Sequence, residues 1–154
     1  MKELGVIASL VLCLTFTNRA AEEMRKRIGQ LLPGHAARPW AGTFHAFAVQ
    51  TLRRYSSLAG VPTKFEVLDR ADGAGVIRTL IKELKLSADQ LPGARTVLDI
   101  FSAARNRQCS LKRALATRWP EYQCCRPLLK KLKRAYRDHK QDRNFLDFDD
   151  LLAK

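Results

Sequence analysis

The sequence predicts an α/β fold that is predominantly helical, and three observations support this prediction. Residues 10–14 (LVLCL) form a continuous apolar run, which is typical of an interior parallel strand. A charged amphipathic helix, about Arg19 to Leu32, follows this run almost at once. Between residues 70 and 143 the apolar residues recur at helical spacing almost throughout. We therefore expect a small parallel sheet near the N-terminus and a nearly all-helical region after it.

A polar corner joins the first predicted strand to its helix. It consists of Thr15, Phe16, Thr17 and Asn18. In open α/β sheets, ligands bind where a strand ends and a helix begins, and the helix N-terminus offers unpaired N–H groups to a phosphate. An aromatic ring in such a place is suited to stacking on a base of single-stranded nucleic acid. The alternative is that Phe16 belongs to the core and that Thr17 or Asn18 only caps the helix.

A second corner of the same kind opens the next helix, which is expected from about Phe44 to Ser57. It consists of Thr43, Phe44 and His45. The hydroxyl and the imidazole are suited to phosphate contacts, and the phenyl ring either stacks or packs. A single histidine at a helix start also has a purely structural interpretation. Two similar corners in one small unit favour binding for both.

The charge of the chain favours a polyanionic partner. The 154 residues include 28 Lys and Arg against 15 Asp and Glu, so the formal net charge is +13. Nucleic acid is the first candidate, an anionic membrane surface the second, and a basic protein without such a partner the third. The predicted long helix carries a basic stripe at i, i+4, i+7, i+8 and i+11, suited to phosphate contacts. Its members are Arg126, Lys130, Lys133, Arg134 and Arg137. The alternative is a solvated helix face.

Several functional classes lack their motifs in this sequence. No Gly-Lys or Asp-Glu dipeptide occurs, so the chain has neither a phosphate-binding loop nor a DExx metal box. We identify no catalytic residues. The four cysteines form no CxxC pair and stand apart from the histidines, so we expect reduced thiols and no metal site. Residues 64–73 (KFEVLDRADG) are interpreted as a short strand and a turn, and residues 144–154 as the start of a helix, without a strand before it.

The N-terminus has a second interpretation. Residues 1–16 (MKELGVIASLVLCLTF) have the early lysine and the apolar stretch of a secretory signal. Glu3 and the lack of a small-x-small cleavage site argue against a signal. We therefore expect a buried strand and a cytoplasmic protein. A secreted basic protein is the alternative.

Two stretches carry a family resemblance. Residues 10–28 (LVLCLTFTNRAAEEMRKRI) and 42–55 (GTFHAFAVQTLRRY) resemble motifs Ia and Ib of the UvrD/Rep/PcrA family of superfamily-1 DNA helicases. Residues 65–87 resemble the entry to the family's helical insertion, and residues 102–110 (SAARNRQCS) resemble a segment inside it. Residues 146–152 (LDFDDLL) resemble the return to the first motor lobe. The order of these segments is preserved over nearly the whole chain.

The resemblance implies a layout. Residues 1–70 would form part of the first RecA-like (P-loop NTPase) lobe, with a partial parallel sheet. Residues 71–142 would form an all-α inserted subdomain that faces duplex DNA, and residues 143–154 would return to the lobe. Arg19 and Ala46 depart from common family residues, and Ala46 loses a donor.

The resemblance also implies a function. The chain would be part of an ATP-dependent 3′–5′ DNA helicase or translocase that uses ATP and Mg²⁺. Its partners would be single-stranded DNA, duplex junctions and the remainder of the helicase chain, and both corners would contact the tracking strand. Without the phosphate-loop and DExx motifs, the chain alone would be inactive as an ATPase and would bind no cofactor. The alternative is a stand-alone nucleic-acid-binding module without ATPase activity.

Overall fold

The computed structural model describes residues 7–34 and 37–153, which form helices and short parallel strands. Helices predominate, so the prediction of a mainly helical α/β fold is confirmed. The chain divides into two compact units, Met1–Ser56 and Ser57–Lys154, called here the first and the second unit. The predicted boundary near residue 70 rests on the change to a nearly all-helical pattern and on the resemblance, and the one at residue 142 rests on the resemblance alone. Both stay predictions. None of the described helices is long and apolar enough to cross a membrane.

The first unit contains two strands that each run directly into a helix. Strand β1 (Leu12–Thr15) leads into helix α1 (Asn18–Leu31), and β2 (Trp40–Thr43) leads into α2 (Phe44–Arg54). The strands are parallel, with Leu12 opposite Trp40 and Thr15 opposite Thr43. The helices begin where the sequence predicted, because a threonine caps each start. Helix α2 ends earlier than predicted, and a short helix, α3 (Ser56–Ala59), follows it.

The predicted burial of the first strand is wrong within the described residues. Leu10 lies before the strand in a 3-10 turn (Ala8–Leu10) and is 77% exposed, and Leu12 is 43% exposed. β1 has one described neighbouring strand, β2, whereas interior parallel strands are covered by strands and helices on all sides. Leu31 is 78% exposed at the end of α1. Residues 1–6 of the alternative signal interpretation lie outside the described residues.

The second unit contains four longer helices that pack around one core. These are α4 (Arg70–Glu83), α5 (Ala94–Asn106), α6 (Leu111–Arg118) and α7 (Arg126–Asp142). Their apolar stripes interlock, as the helical spacing predicted. The largest fully buried side chains are Ile77, Val97, Ile100, Leu115, Leu129 and Leu132.

Two features of the second unit differ from the sequence prediction. The expected turn at residues 71–73 is the first turn of α4, because the Asp69 carboxylate accepts hydrogen bonds from the N–H groups of Ala71 and Asp72. Residues 145–147 form a strand that was not predicted. This strand, β4 (Phe145–Asp147), runs parallel to β3 (Glu66–Leu68) and leads into α8 (Phe148–Ala153). A three-residue strand is too short for its periodicity to appear in the sequence.

Candidate nucleic-acid interface

The two predicted corners meet at one edge of the first unit's sheet. Thr15 and Thr43 are paired across the parallel strands, so the residues after them lie side by side. The ring centroids of Phe16 and Phe44 are 5.1 Å apart, with the ring planes tilted by 38°. Phe16 is 88% exposed and Phe44 is 39% exposed. The alternative in which Phe16 belongs to the core is therefore wrong.

The polar side chains of the corners fix the backbone. The Thr15 hydroxyl donates to the carbonyl oxygens of Thr17 at 3.1 Å and Gly42 at 3.4 Å, so it links both corners. The Thr17 hydroxyl accepts from the N–H of Ala20 at 3.2 Å, and the Thr43 hydroxyl accepts from the N–H of Ala46 at 3.2 Å. These bonds leave each corner with a defined shape at the positive end of a helix.

The individual corner residues differ in exposure. Asn18 is exposed in the first turn of α1, and His45 is half-buried in the first turn of α2. Thr43 is buried, so it supports the second corner. Contacts of these residues with nucleic acid stay predictions.

Two residues that sequence reasoning did not single out support the second corner. The Trp40 indole lies over Gly42, where an added Cβ would come within 2.4 Å of a ring carbon and force the indole to move. Trp40 also contacts Phe47 edge-on, with centroids 5.4 Å apart. The Arg25 guanidinium donates to the Ala41 carbonyl oxygen at 3.2 Å and joins α1 to β2. The signal was available in the sequence as a tryptophan two residues before a glycine.

The basic stripe lies on α7 in the second unit. Leu129, Leu132 and Tyr136 are buried on the other side of this helix, as predicted. Of the five stripe residues, Lys130, Lys133, Arg134 and Arg137 line one groove, and Arg126 is not part of its lining. Asp138 forms ion pairs with Arg137 at 2.9 Å and Arg134 at 3.8 Å, which reduces the charge of that end.

A buried ion network that the sequence did not reveal lies where α7, β4 and α8 meet. The Lys140 ammonium donates to Asp147 and Asp150 at 2.5 Å each, and Arg105 donates to Asp150 at 2.5 Å. Asp149 accepts from the Ser102 hydroxyl at 2.9 Å. The acids of residues 146–152 therefore hold β4 and α8 against the helices.

The pKa values in this network follow from burial and charge. Burial alone raises the pKa of Asp150, but the hydrogen bond and charge of Lys140, assisted by Arg105, bring it below its ordinary value. Burial, and then the nearby Asp147 carboxylate, raise the pKa of Tyr136 above its usual range.

Metal ligands are not grouped in the part of the chain that the structure describes. Among residues 7–34 and 37–153, no three His, Cys, Asp or Glu side chains are arranged to hold a metal ion. The four cysteines are free thiols.

Fold and site together define an α/β protein with a candidate nucleic-acid interface at the carboxyl ends of two parallel strands. The family model described as the UvrD/REP helicase N-terminal domain matches residues 1–154, and the chain belongs to this family. The resemblance predicted from the sequence is therefore confirmed.

Three relatives illustrate the similarity. The chain is 38% identical to the ATP-dependent DNA helicase PcrA of Leuconostoc citreum over 107 residues, which are 69% of this chain and 14% of that protein. It is 42% identical to DNA helicase II of Escherichia coli K12 over 82 residues, which are 53% of this chain and 11% of that protein. It is 30% identical to the ATP-dependent DNA helicase UvrD1 of Mycobacterium leprae over 165 aligned positions, which cover 97% of this chain and 19% of that protein. The chain thus spans less than a fifth of each of these relatives.

Proposed function

We propose that this chain is part of an ATP-dependent 3′–5′ DNA helicase and contributes contacts to single-stranded DNA. The observation that carries the proposal is the exposed pair of Phe16 and Phe44 at the carboxyl ends of two parallel strands. An exposed aromatic pair is costly in water and is suited to stacking on unpaired bases. The family membership of the chain supports the same function.

In this proposal, the aromatic rings of the corners contact bases and the backbone at the helix N-termini contacts phosphates. Phe16, the more exposed ring, stacks on a base, and Phe44 supports it from the side. The N-terminal ends of α1 and α2 lie at the same edge, and the positive ends of their helix dipoles attract phosphates. Thr15, Thr17, Asn18, Thr43 and His45 shape this edge or contact the strand directly. The helical residues 71–142 face duplex DNA at a junction.

The nucleotide chemistry lies in other parts of the proposed helicase. The described residues do not fit ATP or Mg²⁺, because the chain has no Gly-Lys phosphate loop and no described cluster of metal ligands. We therefore propose that the chain alone neither binds nor hydrolyses ATP. Residues 1–70 belong to a RecA-like lobe that the remainder of the helicase completes. The cytoplasmic location stays a prediction.

Fluorescence anisotropy with a labelled single-stranded oligonucleotide tests the DNA-binding proposal. Replacing both Phe16 and Phe44 with alanine should raise the Kd by about tenfold or more, since stacking contributes roughly 1–3 kcal/mol per base. Tyr55→Ala is the matched control, because Tyr55 is 48% exposed in the same unit but lies at the C-terminal end of α2. Its Kd should change by less than about twofold.

Salt dependence provides a second readout. The affinity of the wild-type chain should fall steeply between about 50 and 200 mM salt, because phosphate contacts release counterions. Equal losses in the double variant and in Tyr55→Ala, or no binding even at low salt, would contradict the proposal.

A further inference from the structure

An open groove of about 720 Å³ lies between α5 and α7 in the second unit. Arg105 lines it from the end of α5, Gln108 and Cys109 from the turn after α5, and Lys130 and Lys133 from α7. The sequence had indicated a basic stripe on a single helix. The structure adds a second wall, so that the stripe borders a concave surface instead of an open helix face.

The groove carries an excess of positive charge. Six cationic side chains and three carboxylates line it. The carboxylates are already engaged, because Asp147 and Asp150 bind Lys140 and Asp149 accepts from Ser102 and Asn106. These acids therefore neutralise the network at one end of the groove, and Asp138 partly offsets Arg134 and Arg137. Lys130 and Lys133 have no ion pair with a described residue.

Lys133 is a cation of the groove whose charge no carboxylate of a described residue offsets. It is half-buried, and no carboxylate among residues 7–34 and 37–153 lies within ion-pair distance of its ammonium group. Burial lowers its pKa, and the positive charge of Arg105 lowers it further. A half-buried cation beside a second cation is stabilised when an anion joins them.

We propose that this groove binds a phosphate group of a nucleic-acid backbone, with Lys133 at its centre and Lys130 and Arg105 beside it. Arg105 donates to Asp150 through one nitrogen, Nη1, and a guanidinium has five N–H donors, so others remain for a phosphate. The choice of DNA as the source of the phosphate rests on the proposed function. The anion site itself rests on the groove.

Cys109 provides a direct reporter of the groove. Its thiol lines the groove, whereas Cys124 is exposed on another part of the same unit. The rate of alkylation by iodoacetamide is measured at both cysteines by mass spectrometry, with a single-stranded oligonucleotide or with inorganic phosphate. A saturating oligonucleotide should slow the alkylation of Cys109 by about fivefold, because it blocks access, and leave Cys124 unchanged.

Two charge-removing variants provide the matched comparison. Lys133→Gln should raise the oligonucleotide concentration needed for half protection of Cys109 by about fivefold, since it removes one charge-assisted contact. Lys131→Gln also removes one positive charge from α7, but Lys131 does not line the groove. It should change the oligonucleotide concentration for half protection by less than about twofold. The thermal midpoint of Lys133→Gln should not fall, because Lys133 makes no ion pair with a described residue.

The outcomes separate this inference from the proposed function. Protection of Cys109 that persists in the double alanine variant of Phe16 and Phe44 supports an independent phosphate site. Protection by inorganic phosphate alone, with none from the oligonucleotide, overturns the assignment to DNA. Equal slowing of Cys109 and Cys124, or equal effects of Lys133→Gln and Lys131→Gln, overturns the site.

Discussion

The two units of this chain use their apolar side chains in opposite ways. Among the described residues of the first unit, Ala21 and Leu52 are the buried apolar side chains, while Leu10, Leu12, Phe16 and others are exposed. The second unit buries a continuous cluster of ten side chains drawn from α4, α5, α6, α7 and the segment before α7. We therefore expect the second unit to be the more stable of the two, because buried apolar area stabilises the fold. The exposed aromatic pair lies in the first unit.

The charges follow the same division. Among the described residues of the first unit, Glu23 and Arg27 form an ion pair that is exposed on the surface of α1. The second unit buries Lys140 between Asp147 and Asp150. A buried network needs a packed surround that excludes water, and only a unit with a core provides one. A unit with a packed core and an edge with exposed aromatic side chains therefore place different demands on the same chain.

The largest expected effect on stability comes from the buried ion network of the second unit, compared with the exposed Glu23–Arg27 ion pair of the first. Lys140→Met should lower the free energy of unfolding by about 3 kcal/mol, because it leaves buried carboxylates uncompensated. Arg27→Met, the matched change at the surface of the first unit, should cost about 0.5 kcal/mol or less. Urea denaturation followed by circular dichroism measures both.

The double variant Lys140→Met with Asp150→Asn serves as a control for the Lys140 prediction. It should recover part of the loss, since it removes one of the unpaired charges together with the lysine. A cost below about 1 kcal/mol for Lys140→Met alone would show that the network contributes little.

A second prediction concerns packing. Leu132→Ala should cost about 3 kcal/mol, because Leu132 is fully buried in the second unit and its truncation leaves a cavity. Leu31→Ala in the first unit should change stability by less than about 0.5 kcal/mol, since Leu31 is largely exposed.

Hydrogen exchange extends the packing comparison to the backbone. The amides of residues 76–136 should exchange more slowly than those of residues 10–50, because buried contacts oppose local opening. Slower exchange in residues 10–50 would overturn the comparison.

The smallest expected effect is the pH dependence of the second unit. Asp150 has a lowered pKa, so its contribution is present above its ordinary value of 3.8 and is lost as the pH falls through its folded-state value. Tyr136 has a raised pKa, so above pH 10 the unfolded chain ionises first and stability falls. Unfolding free energies measured from pH 3 to 11 should decline at both ends. Tyr136→Phe should reduce the alkaline decline, and an unchanged decline would exclude Tyr136 as a cause of it.

Local sequence patterns predicted much of the fold. The starts of α1 and α2 were predictable, because Thr17 and Thr43 cap the helices from within the same few residues. The stripes of α4 to α7 were predictable for the same reason, since a helix's periodicity is local. The unpredicted strand at residues 145–147 was not, because its partner at residues 66–68 is distant in sequence.

The sequence by itself determined which residues form the corners and the basic stripe. It also indicated the family, because the family's motifs are short stretches of consecutive residues. The tertiary structure decided that Phe16 and Phe44 are neighbours, that Leu12 is exposed, and that Lys140 is buried between two aspartates. The physical reason is the distance along the chain over which each interaction acts. Capping and helical periodicity act within a few residues, whereas strand pairing, burial and ion networks join residues that only folding brings together.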